Sequence, residues 1–477
     1  MASSRKRRSS DLVERVGVEL ARHVPHGARL TLALSGGVDS IALLELLAAL
    51  APRHPFALDC LHVDHGISPN AAKWARFARA AARRYGLRCA VKKADLAPHR
   101  ALGLEGAARA ARYALLAVLR TDFVALAQHE DDQAETVLLQ LARGAGPAGL
   151  AGMPAVRSQP GRGRRAPPAL FRPLLGATRA EIEAFARDRG LAWVEDESNA
   201  DTRRARNLVR HRILPLLREI NPQASANLAR SAALMAEAND VVLAVAAVDA
   251  AGAAIDGRLA VSALAALPRA RAKNALRLAL MQAGVAAPDS VRLEEALRQL
   301  LDARADAAVR VVAGEAEIRR FRGGVWVVRR TADVPVGFRA RWPGGRTWPI
   351  PELGGALRLK RTTGRGLAVA AVRSGRLEVR LRRGGERLRT DTRRPRRALK
   401  ALLQESGVPP WERERLPLLY CGGELAWVEG IGVAAALRAA PGEAGFEPIW
   451  ERASTKYPRK TAAHPGHCSK PVKPVIK

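Results

Sequence analysis

The chain is predicted to be an α/β protein with a doubly wound parallel sheet, followed by a helical middle domain and a small α+β C-terminal domain. Three observations predict this. Strand-like and helix-like runs alternate four times between Leu30 and Arg143, and that order builds a parallel sheet covered by helices. From Asn207 to about Leu300 the chain is Ala-rich and helical in pattern, with a break at Pro215 and Pro222. Beyond Val334 short runs such as Leu377–Leu381 alternate Leu and Val with Arg and Glu, as a half-buried strand does.

In chain order, Leu12, Val16, Val18, Leu20 and Val24 set against Glu14, Arg15 and Arg22 predict a helix over 10–26. The strands expected next are Leu30–Leu34, Ala57–Val63, Leu87–Lys92 and Phe123–Ala127. Each precedes a helix: Ile41–Leu50, Ala71–Tyr85, Glu105–Arg120 and Asp132–Arg143. The Gly/Pro/Arg-rich stretch Arg157–Pro168 reads as a flexible basic loop, and a helix follows over Arg179–Arg189. Val309–Val312 and Val325–Val328 are β-branched and read as short strands. A helix near Arg397–Glu405 and strands at Leu416–Tyr420 and Leu425–Val428 complete the C-terminal part. With 477 residues, several cores are expected. The division is 1–26, a basic arm and first helix; 27–222, the doubly wound domain; 223–330, mostly helical; 335–452, α+β; and 453–477, a basic tail of disordered composition.

The formal net charge of +33 implies a polyanionic partner, for which nucleic acid is the default. Cys60, Cys89, Cys421 and Cys468 form no CxxC pair, so neither a zinc knuckle nor a dithiol centre is indicated and idle thiols in a reducing cytosol are expected. No charge-free apolar run approaches membrane-spanning length, and MASSRKRRSS lacks a signal-peptide core, which points to a cytoplasmic protein.

The chemistry-bearing motifs fall where strands end. After the first strand comes Ser35-Gly36-Gly37-Val38-Asp39-Ser40, leading directly into a helix. Unpaired N–H groups at a helix start attract anions, and glycines let the backbone approach phosphate oxygens. Asp39 suits such a site if Mg²⁺ lies between it and the phosphates. No Gly-Lys-Ser/Thr follows, so this is not a Walker loop. After the fourth strand, Gln128-His129-Glu130-Asp131-Asp132-Gln133-Ala134-Glu135 carries four acids. Asp132 and Glu135 share a face of the first helical turn. They read either as caps of that helix or as a negative pocket for a cationic substrate or second metal contact. Glu105, Arg109 and Arg112 share another helical face, either as solvated ion pairs or with the arginines directed at phosphate. Glu195–Asn199 and Arg203–His211 are acid and base clusters in a linker.

SGGVDS resembles the pyrophosphate loop of ATP pyrophosphatases. Together with His62-Val-Asp-His-Gly66, EGAARAARY, AQHEDDQAETVLLQLARGAGPAGLAGM, Arg172-Pro-Leu-Leu175, EDESN and RNLVRHRILPLL it resembles, in order and spacing, the tRNA(Ile)-lysidine synthetases over about residues 28–222. Gly385-Glu-Arg387, Lys400–Leu403, Val408–Arg413, Leu416–Leu419 and Leu425–Gly432 extend the likeness. The resemblance implies a Rossmann-like pyrophosphate-loop ATPase domain and an ATP- and Mg²⁺-dependent, C–N bond-forming reaction. The wobble cytidine of a CAU-anticodon tRNA(Ile) would be adenylated at C2 and then joined to the ε-amine of free L-lysine.

On that likeness Ser35, Gly36, Gly37, Val38, Asp39 and Ser40 bind ATP, with Asp39 acting through Mg²⁺. Asp132 and Glu135 bind the lysine amine, and Arg109 and Arg206 stabilise charge during adenylation. Gln128 departs from the family, where a second His is common, which puts any acid–base role there in doubt; Glu130 stands where relatives are commonly apolar. The basic C-terminal regions would hold tRNA. Trp411 and Trp427 read as core in their apolar settings, with stacking on RNA as the alternative. The competing readings are a tRNA thiolase, which would need the missing cysteine pair; an ATP-dependent amidotransferase, which would leave the charge unexplained; and an RNA-binding protein with a relic nucleotide fold. Oligomeric state is left open, a homodimer being one option.

Overall fold

A computed structural model describes residues 2–158, 166–195, 202–255, 258–304, 307–330, 334–335, 337–374 and 376–452. Most of the Arg157–Pro168 loop, most of the Glu195–Asn199 cluster and the 453–477 tail therefore lie outside the described residues. The chain forms two compact units, Met1–Asp249 and Ala250–Lys477.

The first unit is built on a six-stranded sheet. Its elements run α1 (Ala2–His23), β1 (Arg29–Ala33), α2 (Val38–Leu50), β2 (Ala57–Asp64), α3 (Ala71–Arg83), β3 (Cys89–Lys93), α4 (Gly103–Ala117), β4 (Phe123–Ala125), α5 (Glu130–Leu141), α6 (Pro147–Leu150), β5 (Val156–Arg157), β6 (Ala169–Phe171) and α7 (Arg179–Asp188). The spatial order is β3-β2-β1-β4-β6-β5. All neighbours are parallel except β5, which runs antiparallel to β6. The four strand–helix pairs read from sequence form as expected, and α1 takes in the basic head. Strands β5 and β6 escaped the reading because two or three residues carry no detectable period.

Hydrophobic burial sets the layers. Leu30 and Leu32 of β1 and Leu43, Leu44, Leu46 and Leu47 of α2 are at most 1% exposed. They join Leu12, Val16 and Leu20 of α1 and Ile182 and Phe185 of α7 in one core. An all-round apolar helix such as α2 is what a central position demands. The strand order reverses between β1 and β4, so the crevice of this sheet opens beyond their carboxyl ends.

A continuous helical segment closes the unit: α8 (Ala205–Leu208), a π-helical turn over Val209–Ile213, and α9 (Leu214–Ile220). Pro215 lacks the N–H that would bond four residues back, and the helix widens just ahead of it. Beyond the Asn221-Pro222 turn, α10 (Ala224–Gly252) begins on the first unit, where Ser225 accepts from Arg218 at 2.8 Å and Leu228 packs with Val209 and Leu214. That packing joins the start of α10 to the first unit, which runs past 222 to Asp249. Among the described residues α10 alone has the length and composition of a membrane span, yet it carries Arg230, Glu237, Asp240 and Asp249.

In the second unit β7 (Ala254–Ile255) and β8 (Arg258–Leu259) pair as a hairpin. Helices α11 (Val261–Ala266), α12 (Arg269–Gln282) and α13 (Ser290–Asp302) then pack on an antiparallel sheet, β11 (Gly324–Arg329), β10 (Ala316–Phe321) and β9 (Arg310–Ala313). Leu276, Leu280, Leu293, Leu297 and Ile318 fill that core. The C-terminal part holds two antiparallel sheets. In one, Gly355–Thr363 pairs along its length with Ala444–Arg452. In the other, Leu377–Arg380, Leu418–Cys421 and Glu424–Val428 are neighbours. Trp427 is 6% exposed within the core. Trp411 meets Trp326 and Phe321 edge-on at 5.6 and 5.9 Å, so both tryptophans serve packing.

The turn after β1 tests the fold at one residue. Gly36 has φ +96° and a Cβ there would stand 2.9 Å from Val194 Cγ2, whereas Gly37 has φ −71° and a Cβ there would make only ordinary contacts, 3.6 Å from Ser35 Oγ and 4.0 Å from Val194 O. Gly36→Ala is expected to lower stability by about 1–3 kcal/mol, and Gly37→Ala by under about 1 kcal/mol; urea denaturation of the two variants compares them.

Candidate functional site

The site is built at the crevice between β1 and β4. The Leu34 carbonyl at the end of β1 is held by His62 Nδ1 at 2.9 Å, and the Leu34 N–H donates to Leu61 O at 2.9 Å. The chain then turns through Gly36, whose carbonyl accepts from Val194 N–H at 3.0 Å, and Gly37 caps α2 in extended conformation. Ser35 Oγ donates to Ser40 Oγ at 3.0 Å, Ser40 Oγ donates to Gly37 O at 3.0 Å, and the Gly36 and Gly37 N–H groups donate to Ser40 and Ser35 hydroxyls at 3.1 and 3.3 Å. The two serines expected to face phosphate thus brace the loop itself, and Ser40 is only 3% exposed. Val38 is buried as the first residue of α2.

Asp39 sits at the centre. Burial pushes its carboxyl above the ordinary carboxylate range, against the pull of His129, Arg179 and Arg210. Its Oδ1 is buried and has no hydrogen-bond partner. A hard carboxylate oxygen without a donor fits a Mg²⁺ ion, which takes one or two carboxylates and completes its shell with phosphates and water. Among the described residues no three His, Cys, Asp or Glu side chains are arranged to hold a metal ion by themselves, so the rest of such a shell would come from the nucleotide and water.

Beyond β4, His129 is 1% exposed and links the two motifs. Its Nε2 lies 3.7 Å from Asp39 Oδ1 and 3.5 Å from Asp132 Oδ2, and its backbone N–H donates to Asp132 Oδ2 at 3.1 Å. The four acids after it do not form an open negative pocket. Asp131 is paired with Arg218 and accepts from the Arg179 N–H at 3.1 Å. Arg206 donates from Nε to Glu135 Oε2 at 2.6 Å and from Nη2 to Asp132 Oδ1 at 2.8 Å. Arg210 donates from Nε to Glu135 Oε1 at 2.6 Å and from Nη2 to Asp132 Oδ1 and Glu135 Oε2, each at 3.2 Å. The Glu135 side chain is 0% exposed, and carboxylates so buried require cations or protons. Burial would raise Asp132, but His129, Arg206 and Arg210 outweigh it and hold its carboxyl below the usual range. The GAGPAGLAGM segment closes over α5: Gln133 donates to Met153 O at 3.0 Å and accepts from Met153 N–H at 2.8 Å.

A second cationic group lies on α4. Arg109 is exposed and reaches Tyr113, with Nη2 3.4 Å from the phenol oxygen and its guanidinium over the ring at 5.1 Å. Arg112 is more enclosed; its Nε is buried without a partner, and burial draws its guanidinium below the usual range. Arg172 is 3% exposed, hydrogen-bonds Tyr113, and donates from Nε to Gln128 Oε1 at 2.5 Å and from Nη1 to Pro154 O at 2.9 Å. Burial pushes the Tyr113 phenol up, but Arg109, Arg112 and Arg172 together bring it below its usual range. Gln128, the family departure, is therefore a hydrogen-bond acceptor for Arg172.

Of the residues picked from sequence, the structure gathers Asp39, Asp132, Glu135 and Arg206, with the loop Ser35–Ser40 beside them. Arg109 instead stands with Tyr113. The sequence reading left three contributors without a role: His129, Arg172 and Arg210. Arg210 was detectable, being four residues after Arg206 and so on the same helical face. Cys60 and Cys89 are register partners on β2 and β3, burial pushes the Cys60 thiol up to about 12, and Cys421 is also free. Cys468 lies outside the described residues. A cleft of about 500 Å³ beside Cys60 and Cys89, with Arg79, Arg83 and Arg88 around it, is at the far end of β3 from the loop.

Comparison with known proteins covers both units. The PP-loop domain family matches residues 8–217, the TilS substrate binding domain residues 259–326 and the TilS substrate C-terminal domain residues 377–450. The tRNA(Ile)-lysidine synthase of Nitrosomonas europaea is 38% identical over 452 residues, covering 94% of this chain and 98% of its own. That of Azoarcus sp. is 42% identical over 432 residues, covering 90% and 92%. That of Ralstonia nicotianae is 42% identical over 419 residues, covering 84% and 88%. A phosphate loop at the switch point, an acid pair one imidazole away and relatedness along nearly the whole length lead to one conclusion: this chain belongs to the tRNA(Ile)-lysidine synthase family.

Proposed function

We propose that the chain converts the wobble cytidine of a CAU-anticodon tRNA(Ile) to lysidine, using ATP and free L-lysine in the cytoplasm. The observation that carries this is the bridge at His129, whose Nε2 stands 3.7 Å from the loop carboxylate of Asp39 and 3.5 Å from Asp132. A loop suited to phosphate lying this close to a pair of acids supports an adenylation followed by amine attack.

In the first step the cytosine C2 oxygen attacks the α-phosphate of ATP and diphosphate leaves. Backbone N–H groups at the start of α2 and the dipole of that helix face the leaving phosphates. Asp39 would hold Mg²⁺, which when bound neutralises their charge. In the second step the lysine ε-amine attacks C2 and AMP leaves. Asp132 and Glu135 attract the ammonium, and a carboxylate beside it can accept the proton that the amine must lose before attack. Arg206, and Arg109 at greater remove, offset the phosphate charge of the adenylate. Asp132 suits the amine-binding role because it stays ionised despite its burial, held low by His129 and the two arginines. The five-part division of the chain, with tRNA held by 223–330 and 335–452, belongs to the same proposal. It is supported by the net charge of +33 and by the substrate-domain matches. Backbone attraction cannot single out one nucleotide, so bases of the anticodon loop must be read directly.

Radiolabelled lysine is expected to enter a CAU-anticodon isoleucine tRNA transcript with ATP and Mg²⁺, and to leave a methionine CAU-anticodon elongator transcript unlabelled. Absence of label with AMP still released would mean that the nucleophile is not lysine. Asp39→Ala and Asp132→Ala are expected to abolish lysidine formation while tRNA affinity, followed by filter binding, stays within about twofold, since neither residue belongs to the backbone-binding surface. A large affinity loss would remove both residues from this scheme.

A further inference from the structure

The acid pair assigned to lysine is already occupied. Glu135 accepts from Arg206 and Arg210 on Oε2 and from Arg210 on Oε1; Asp132 accepts from both arginines on Oδ1 and from the His129 N–H on Oδ2. Two carboxylates thus hold two guanidiniums, and every carboxylate oxygen has a donor. With Glu135 wholly buried and Arg206 and Arg210 only 24% and 22% exposed, a third cation would enter a neutral, poorly hydrated cluster, where its desolvation goes uncompensated.

The phosphate loop lies next to this cluster. One imidazole nitrogen lies between Asp39 and Asp132, 3.7 and 3.5 Å from their carboxylate oxygens, and Arg210 is among the cations that act on Asp39. Nucleotide phosphates on the loop would bring several negative charges alongside Arg210, and a guanidinium fork matches phosphate as well as it matches carboxylate. Arg210 also stands on the π-helical turn Val209–Ile213, a stretch of helix that departs from regular geometry.

We propose that Arg210 is a place-holder for the substrate ammonium: in the nucleotide-free enzyme it covers Asp132 and Glu135, and nucleotide phosphates on the Ser35–Ser40 loop draw it away, opening the site to lysine. Arg206 stays on the acid pair. Lysine then binds after ATP, and by linkage lysine tightens nucleotide binding by the same factor that nucleotide tightens lysine. The device keeps free amines out of the pocket until there is a nucleotide to react with. It rests on the assignment of Asp132 and Glu135 to lysine.

The test is equilibrium dialysis of radiolabelled L-lysine against the full chain, alone and with saturating Mg²⁺ and α,β-methylene ATP, which binds but cannot be cleaved at the reacting bond. The expected result is a rise in lysine affinity of about tenfold or more with the analogue, in the range usual for coupled sites. In Arg210→Gln, lysine is expected to bind without nucleotide, with the coupling reduced to about twofold or less. Equal lysine affinity with and without the analogue in the wild-type chain would overturn the place-holder while leaving the lysine assignment intact, and the wild-type measurement stands even if the variant fails to fold. No lysine binding under any condition, together with no label entering tRNA, would overturn the assignment and the place-holder together.

Discussion

Two buried carboxylates, Asp132 and Glu135, need two cations, and the helix from Ala205 to Ile220 supplies them. Arg206 and Arg210 reach the first two turns of α5 with three contacts of 2.8 Å or less. Remove either partner and a charge is left in a place water scarcely reaches. The arrangement is also pH-dependent in a defined sense. Asp132 titrates below its unfolded range, so its contribution to stability is present above the unfolded carboxylate value and is lost as pH falls through the lower, folded one. The same bonds anchor the π-helical turn and, through Arg218 with Asp131 and Ser225, the start of α10.

The parallel sheet determines where this cluster can stand. Strands β1 and β4 are neighbours although the chain makes three crossovers between them, so the loops at their carboxyl ends face one crevice. The loop after β1 contributes N–H donors and Asp39; the loop after β4 contributes His129 and the acids. Each is braced from outside the crevice: His62 of β2 and Val194 hold the first, and Met153 clamps the second through Gln133. Rigidity here has a chemical purpose, since phosphoryl transfer gains chiefly from positioning and from preorganised charge.

Arginine recurs in three different physical settings. On α8 and the turn after it, guanidiniums neutralise buried acids. Around Tyr113 three of them converge on one phenol, and Arg172 is buried with only neutral acceptors described for it, Gln128, Pro154 and Tyr113. In the second unit many are exposed and paired weakly across the surface, as Arg298 with Glu295 or Arg397 with Glu405, where salt and solvent leave little net stability but a large field for a polyanion. Composition alone does not separate these roles, because burial and not residue type decides which one an arginine plays.

Much was legible from the chain alone. The alternation from Leu30 to Arg143 determined a parallel sheet, because apolar period and turn residues are local signals. SGGVDS and the acid run marked the crevice, because backbone geometry at a strand-to-helix turn is also local. The bracing roles of Ser35 and Ser40, the link through His129 and the engagement of Asp132 and Glu135 by Arg206 and Arg210 were not legible. Asp39 and His129 are ninety residues apart, and Glu135 and Arg206 are separated by seventy-one. Which charges meet across such distances depends on the crossovers and on how deeply each group is buried. Spacing along a chain identified the groups; the desolvation of carboxylates in a shared crevice determined their partners.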